Sequence, residues 1–83
     1  MSKVIMGVQL QERIEKAVKV QELLSKYGCH ITTRVGLHSS PANTCSPRGL
    51  ILLEFVDDAD EAAAELEQEL AEIDAVLVKK MVF

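Results

Sequence analysis

The segment that is most informative about the fold is Gly49-Leu50-Ile51-Leu52-Leu53-Glu54-Phe55-Val56, in which Glu54 is the only charged residue. A nearly continuous apolar run of this kind is typical of a central β-strand that is covered on both faces of its sheet. We therefore expect a sheet with this strand in its interior. The flanking segments predict what surrounds it.

A helix and a last strand are predicted on the carboxyl side of this run. Asp57 and Asp58 are good N-cap residues, and Asp58 with Glu61 three positions later resembles a capping box. Apolar residues then recur at helical spacing: Ala59, Ala62, Ala63, Leu66, Leu70 and Ile73. Glutamates on the other side of this helix indicate a solvated acidic surface. After Asp74, residues 75–83 predict a strand that runs to the last residue.

Another strand is predicted on the amino side, before a polar connection. Residues 38–48 are rich in Ser, Pro and Asn, which favours a connecting loop longer than a tight hairpin. Residues 30–37 alternate, so Ile31, Thr33, Val35 and Leu37 should share one face. The other face of this strand, with Thr32, Arg34 and Gly36, is predicted to be the polar outer face.

The first third of the chain changes from a strand pattern to a helix pattern. Residues 3–10 alternate as in a strand, and residues 12–27 have apolar side chains at helical spacing. Gly28 is placed to end this helix in the left-handed conformation that other residues resist.

The element order predicts an α+β fold with one domain over residues 1–83. Strand, helix, strand, strand, helix, strand in a chain this short gives a β-α-β-β-α-β ferredoxin-like sandwich, with a four-stranded antiparallel sheet and two helices on one face. Strands one and three should lie in the middle of the sheet. The two helices would cover only one of its faces.

The uncovered face of the predicted sheet is apolar. If Val4, Met6, Val8, Ile51, Leu53 and Phe55 face the helices, Ile5, Leu50 and Leu52 must lie on the opposite side. Strand four adds either Val76 and Val78 or Leu77 and Met81. We expect Ile5, Leu50 and Leu52 to form an interface between copies of the chain, as a homodimer or homotetramer. Scattered apolar residues on an ordinary surface are the alternative.

Composition and charge narrow the classes of function. The chain has 83 residues, 48% of them hydrophobic, and a net charge of −4. This charge weighs against direct binding of nucleic acid, which depends on clustered Lys and Arg. No stretch approaches the apolar length of a membrane helix, and residues 1–10 lack the features of a signal peptide, so we expect a cytoplasmic protein with no membrane partner.

Few residues suggest a chemical site. The soft metal ligands of the chain are Cys29, His30, His38 and Cys45, and their spacing fits no strong motif. We therefore expect no metal or cofactor. We expect Cys29 to be buried and His30 to be exposed.

Arg34 is the candidate ligand-binding residue, because a guanidinium binds a carboxylate or phosphate with two hydrogen bonds. An ion pair between Arg34 and Glu54 across the strands is the competing interpretation. No nucleophile with a base and orienting group is identifiable, so we expect no enzyme.

Four segments together carry a resemblance to a known family. They are residues 4–8, residues 13–24 with Glu15, Lys16, Ala17, Val20, Leu23 and Leu24, the run 31–36 ending in Arg34, Val35 and Gly36, and residues 51–55. In this order and length, the chain resembles the iron-only hydrogenase system regulators. These small ferredoxin-like proteins are grouped with the ACT-like domains and the C-terminal domain of the nickel-responsive repressor.

The resemblance implies a domain that associates through its sheet and acts in transcriptional or metabolic regulation. ACT-like relatives bind amino acids at the turn after strand one, often with a glycine, where this chain has residues 9–12, Gln-Leu-Gln-Glu. The repressor's DNA-binding segment precedes its ferredoxin-like domain, whereas strand one here is predicted to begin almost at Met1. We therefore expect a homo-oligomeric module that senses a small-molecule effector. The alternative is a structural or protein-interaction subunit without a small-molecule ligand.

Overall fold

A computed structural model describes residues 2–10, 14–37 and 49–83 of the chain. The elements are β1 (Val4–Leu10), α1 (Ile14–Lys26), a 3-10 helix (Gly28–His30), β2 (Ile31–Leu37), β3 (Gly49–Phe55), α2 (Asp60–Ala71) and β4 (Val76–Val82). This order confirms the predicted β-α-β-β-α-β arrangement. The predicted loop at 38–48, with His38 and Cys45, lies outside the described residues.

The four strands form one antiparallel sheet in the order β2-β3-β1-β4. β1 and β3 are therefore central, as their apolar sequences predict. The arrangement is the ferredoxin-like α+β fold. β2 and β4 are the two edge strands.

Both helices cover the same face of the sheet. The central strands supply Val4, Met6, Val8, Leu53 and Phe55 to one buried cluster, and the helices close it with Val20, Leu24, Ala63, Leu66 and Leu70. No described helix has the length and apolar character needed to cross a membrane.

Two predicted helix caps are wrong. Gly28 is not left-handed, because the chain passes from α1 into the 3-10 helix without a positive φ at any described glycine. Asp58 does not cap α2, which begins at Asp60 after Ala59 and without a side-chain hydrogen bond to the cap. Instead Asp58, with φ of 60°, accepts a hydrogen bond from the Ser2 amide at 2.9 Å and so ties the start of the chain to this turn.

The side chains of β2 after its first residues face the opposite side of the sheet from the one predicted. A bulge between Ile31 and Thr33 interrupts its pairing with β3. Ile31 opposes the buried Phe55, whereas Thr33 opposes Glu54, on the other side of the sheet. Because a bulge shifts the alternation by one residue, Ile31 faces the helices while Val35 and Leu37 face away from them.

Candidate interaction surface

The face of the sheet opposite the helices, called here the open face, is the main candidate site. Ile5, Gly7 and Gln9 of β1 lie between the core residues that face the helices, and they oppose Glu54, Leu52 and Leu50. Ile5, Leu50 and Leu52 therefore sit together on the open face, where the sequence analysis placed them. Leu52 is 37% exposed in the single chain.

The structure settles which side chains β4 adds to this face. Met81 opposes Ile5 and Leu77 opposes Gln9, so both lie on the open face, 56% and 43% exposed. Val76 and Val78 pack against the core instead. Of the two alternatives left by the sequence, the structure has the one with Leu77 and Met81.

The edge strand β2 makes the open face more apolar than expected. Val35 opposes Leu52 and Leu37 opposes Leu50, and both are exposed. At the end of β4, Phe83 exchanges backbone hydrogen bonds with Lys3. The apolar residues of the open face are thus Ile5, Val35, Leu37, Leu50, Leu52, Leu77, Met81 and Phe83.

Paired charges mark one end of the open face. The Lys3 ammonium lies 3.1 Å from carboxylate oxygens of both Glu54 and Asp57 and donates to the Phe55 carbonyl at 3.0 Å. Thr33 donates to the other Glu54 oxygen at 3.0 Å. Hydrogen bonds to Asp57 and then to Glu54 raise the pKa of Lys3, and the bonds from Lys3 and Thr33 lower the pKa of Glu54. This end is therefore a polar rim beside the apolar surface.

Arg34 does not lie on the open face. Its guanidinium donates a hydrogen bond to the Gln21 side chain on α1, and the strand places it opposite the buried Leu53. The predicted pairing of Arg34 with Glu54 is wrong, because Glu54 bonds Lys3 and Thr33 from the other side of the sheet. A role for Arg34 in ligand binding stays a prediction.

The soft metal ligands that can be placed lie in the 3-10 helix. Cys29 and His30 are both exposed, so the expected burial of Cys29 is wrong. The short helix turns the thiol outward before the chain enters β2. Across residues 2–10, 14–37 and 49–83, His, Cys, Asp and Glu side chains form no group of three that could hold a metal ion.

A groove between the helix ends was not anticipated from the sequence. It encloses about 490 Å³ and is lined by Lys26, Tyr27, His30, Glu65, Gln68, Glu69 and Glu72. Lys26 forms an ion pair with Glu69 at 2.8 Å. Lys26 and Glu69 are 43 positions apart, so only the packing of α1 on α2 brings them together.

The polar groups in this groove perturb one another. The hydrogen bond from Lys26 is the main cause of the lowered pKa of Glu69, and the Tyr27 hydroxyl contributes less. The pKa of the Tyr27 hydroxyl is raised, mainly because the group is removed from solvent and to a smaller extent because it lies beside Glu69. The second Glu69 oxygen is buried without a hydrogen-bond partner among the described residues. This carboxylate is therefore held mainly by Lys26.

Several solved structures have the same fold as this chain. The uncharacterized protein TM1266 from Thermotoga maritima is 24% identical, with a TM-score of 0.81 over 100% of this chain and 99% of that one. CPII, a nitrogen regulatory PII-like protein from Thiomonas intermedia K12, is 11% identical, with a TM-score of 0.65 over 100% and 89%. The regulatory subunit of aspartate kinase from Thermus thermophilus is 21% identical, with a TM-score of 0.54 over 98% and 54%.

No protein-family model and no curated protein matches the sequence. At these identities the structural likenesses establish the ferredoxin-like fold.

Proposed function

We propose that this chain is a regulatory, ligand-sensing module that assembles with copies of itself through the open face. In this proposal its role is that of the iron-only hydrogenase system regulators, which the sequence resembles. It acts in the cytoplasm, as a regulator rather than an enzyme. The observation that carries the proposal is the set of apolar side chains that all four strands place on the open face, beside Gln9 and Lys79.

Burial of the open face offers a large stabilisation for a small protein. Several exposed aliphatic side chains lie side by side on it, Leu52 and Val35 opposite each other among them. Burying apolar surface contributes roughly 25 cal/mol per Å², so covering the face is worth several kcal/mol. A small domain has only about 5–15 kcal/mol of stability in total, so this contribution is substantial.

The area of the sheet suits association of two copies. The sheet has four strands of seven residues each. With strands about 4.8 Å apart and a rise of about 3.3 Å per residue, it measures roughly 19 by 23 Å. Two such corrugated faces together bury on the order of 1,000 Å², near the lower limit for a specific interface. We therefore expect association that is reversible and sensitive to single substitutions.

The structural neighbours support the regulatory part of the proposal. CPII is described as bound to ADP, AMP and bicarbonate, and another neighbour is the regulatory subunit of a kinase. A ligand that binds at the junction of two subunits shifts assembly by as much as it prefers the assembled state. In this proposal, association through the open face is the equilibrium on which such a ligand acts.

The oligomeric state tests the proposal directly. We expect sedimentation velocity at micromolar concentration to show the wild-type chain as a dimer or tetramer. Leu52→Lys should dissociate it, because a lysine in the centre of the face would have to be buried without a partner. Val18→Lys is the matched control, since Val18 is a 55% exposed apolar residue on α1, away from the open face.

A monomeric wild-type chain would overturn the proposal. So would equal dissociation of Leu52→Lys and Val18→Lys, because the effect would then come from added charge rather than from the open face. A monomer that binds a different protein through Leu52 would favour the interaction-subunit alternative.

A further inference from the structure

Gly7 lies at the centre of the open face and leaves a dent in it. It belongs to the central strand β1, with Leu52 opposite on β3 and Lys79 opposite on β4. The dent is walled by the side chains of Leu50 and Leu52, which approach within 3.8 and 3.7 Å of the place that a Cβ would occupy.

Among the residues that the structure describes, nothing requires glycine at this position. No described glycine has a positive φ, so the backbone at Gly7 does not need one. A Cβ would make only ordinary contacts with Leu50, Leu52 and the Lys79 carbonyl, the last at 4.0 Å. Glycine within a strand lowers stability, and it often marks a place where another group approaches closely. The absence of a side chain at Gly7 therefore suits the close approach of a group from outside the described residues.

We propose that the dent at Gly7 receives an aliphatic side chain of a second copy and so fixes how the two sheets pack. This inference rests on the proposed assembly through the open face. The walls of the dent are methyl groups of Leu50 and Leu52, so an apolar side chain is the occupant that fits them. In a symmetric dimer the same face supplies both the dent and the side chains that fill it.

Close packing explains why this one position matters. Protein interiors and well-packed interfaces contain few voids, so a dent at the centre of an interface must be filled by the partner. The neighbouring Lys79 does not prevent this, because it lies on the edge strand β4 and can extend its ammonium group to solvent. Gly7 therefore acts as a positioning residue for the assembly.

Substitutions at Gly7 and Gly36 test the inference. Gly36 is the matched control: it is also a strand glycine, but its position opposite Ile51 places it on the helix side, where a Cβ would meet nothing within 4 Å. Gly7→Ala, Gly7→Val, Gly36→Ala and Gly36→Val should all fold, since alanine and valine suit strands at least as well as glycine. Circular dichroism and thermal unfolding check this.

The dissociation constant of the assembly is the deciding measurement. We expect Gly7→Ala to weaken association by about tenfold and Gly7→Val to weaken it further, because overfilling a packed site forces its neighbours apart. The Gly36 variants should change it by less than about threefold, as is usual away from packed sites.

The outcomes separate this inference from the proposed function. If Leu52→Lys dissociates the protein but Gly7→Val associates as tightly as wild type, the dent is not filled and only this inference fails. If Leu52→Lys has no effect, the proposed assembly fails as well. If Gly7→Val keeps its assembly but loses the thermal shift given by ADP, AMP or bicarbonate, the dent holds a small molecule rather than a side chain, which also overturns the inference.

Discussion

At the scale of single residues, Glu69 shows how packing turns two surface charges into a stabilising pair. Lys26 donates to it at 2.8 Å, and this contact is the main cause of its lowered pKa. A carboxyl group with a lowered folded pKa stabilises the protein above its unfolded pKa, about 4.3, and this contribution is lost as the pH falls through the folded value. Acid should therefore weaken the contact between α1 and α2.

Glu69→Gln tests this pH dependence. The variant should be less stable than wild type at pH 6–7, and the difference should shrink once the pH falls below the unfolded pKa of a glutamate, about 4.3, and through the lower folded pKa of Glu69. Urea midpoints between pH 3 and pH 7 measure it. Glu61→Gln is the control, because Glu61 is an exposed glutamate of the same helix. A stability difference between Glu69→Gln and wild type that is the same at every pH would contradict the prediction.

At the scale of elements, the turn between α2 and β4 contains a strained residue. Ala75 has φ of 64°, a left-handed conformation that costs a residue with a Cβ roughly 1–2 kcal/mol. Ala75→Gly removes this cost but makes the unfolded chain more flexible, by about 0.4–1 kcal/mol. The net expectation is stabilisation by about 0.5–1 kcal/mol, seen as a higher denaturant midpoint.

An alanine inside α2 provides the comparison. Ala64 is exposed within the helix, so Ala64→Gly should destabilise the protein by about 1 kcal/mol. The same chemical change is therefore expected to have opposite signs at the two positions. A loss of stability in Ala75→Gly would show that the positive φ carries no strain.

The elements also show what the sequence could and could not predict. Apolar periodicity was sufficient for the strands, the helices and the central place of β1 and β3, because burial requires a regular pattern. Periodicity did not predict which face of the sheet each β2 side chain occupies. The bulge between Ile31 and Thr33 reverses the alternation without a sequence signal. That reversal moved Val35 and Leu37 onto the open face and Arg34 away from it.

Polar contacts between different elements show a second limit of sequence analysis. Ile5, Leu50 and Leu52 could be placed on one face because strand alternation is local. The contacts of Lys26 with Glu69 and of Arg34 with Gln21 join different elements, so they depend on helix positions that periodicity alone does not determine. A side chain's partner is therefore harder to predict than its face.

At the scale of the whole molecule, stability and assembly should be linked. If the proposed assembly forms, burial of the open face stabilises the folded state only when a second copy is present, so the thermal midpoint of wild type should rise with protein concentration. Leu52→Lys should show a midpoint that is independent of concentration. The difference between the two midpoints then reports how much stability the interface supplies.

Wild type and Leu52→Lys together also test where an effector of the proposed sensor binds. The probes are ADP, AMP, bicarbonate and the common amino acids. A ligand held between subunits should raise the midpoint of wild type by several degrees and leave Leu52→Lys nearly unchanged, because the variant cannot form the site. By reciprocity, that ligand must also tighten association by the same coupling energy, which sedimentation measures independently. Equal shifts in both proteins would place the ligand on a single subunit, and no shift with any probe would count against a sensor of these ligands.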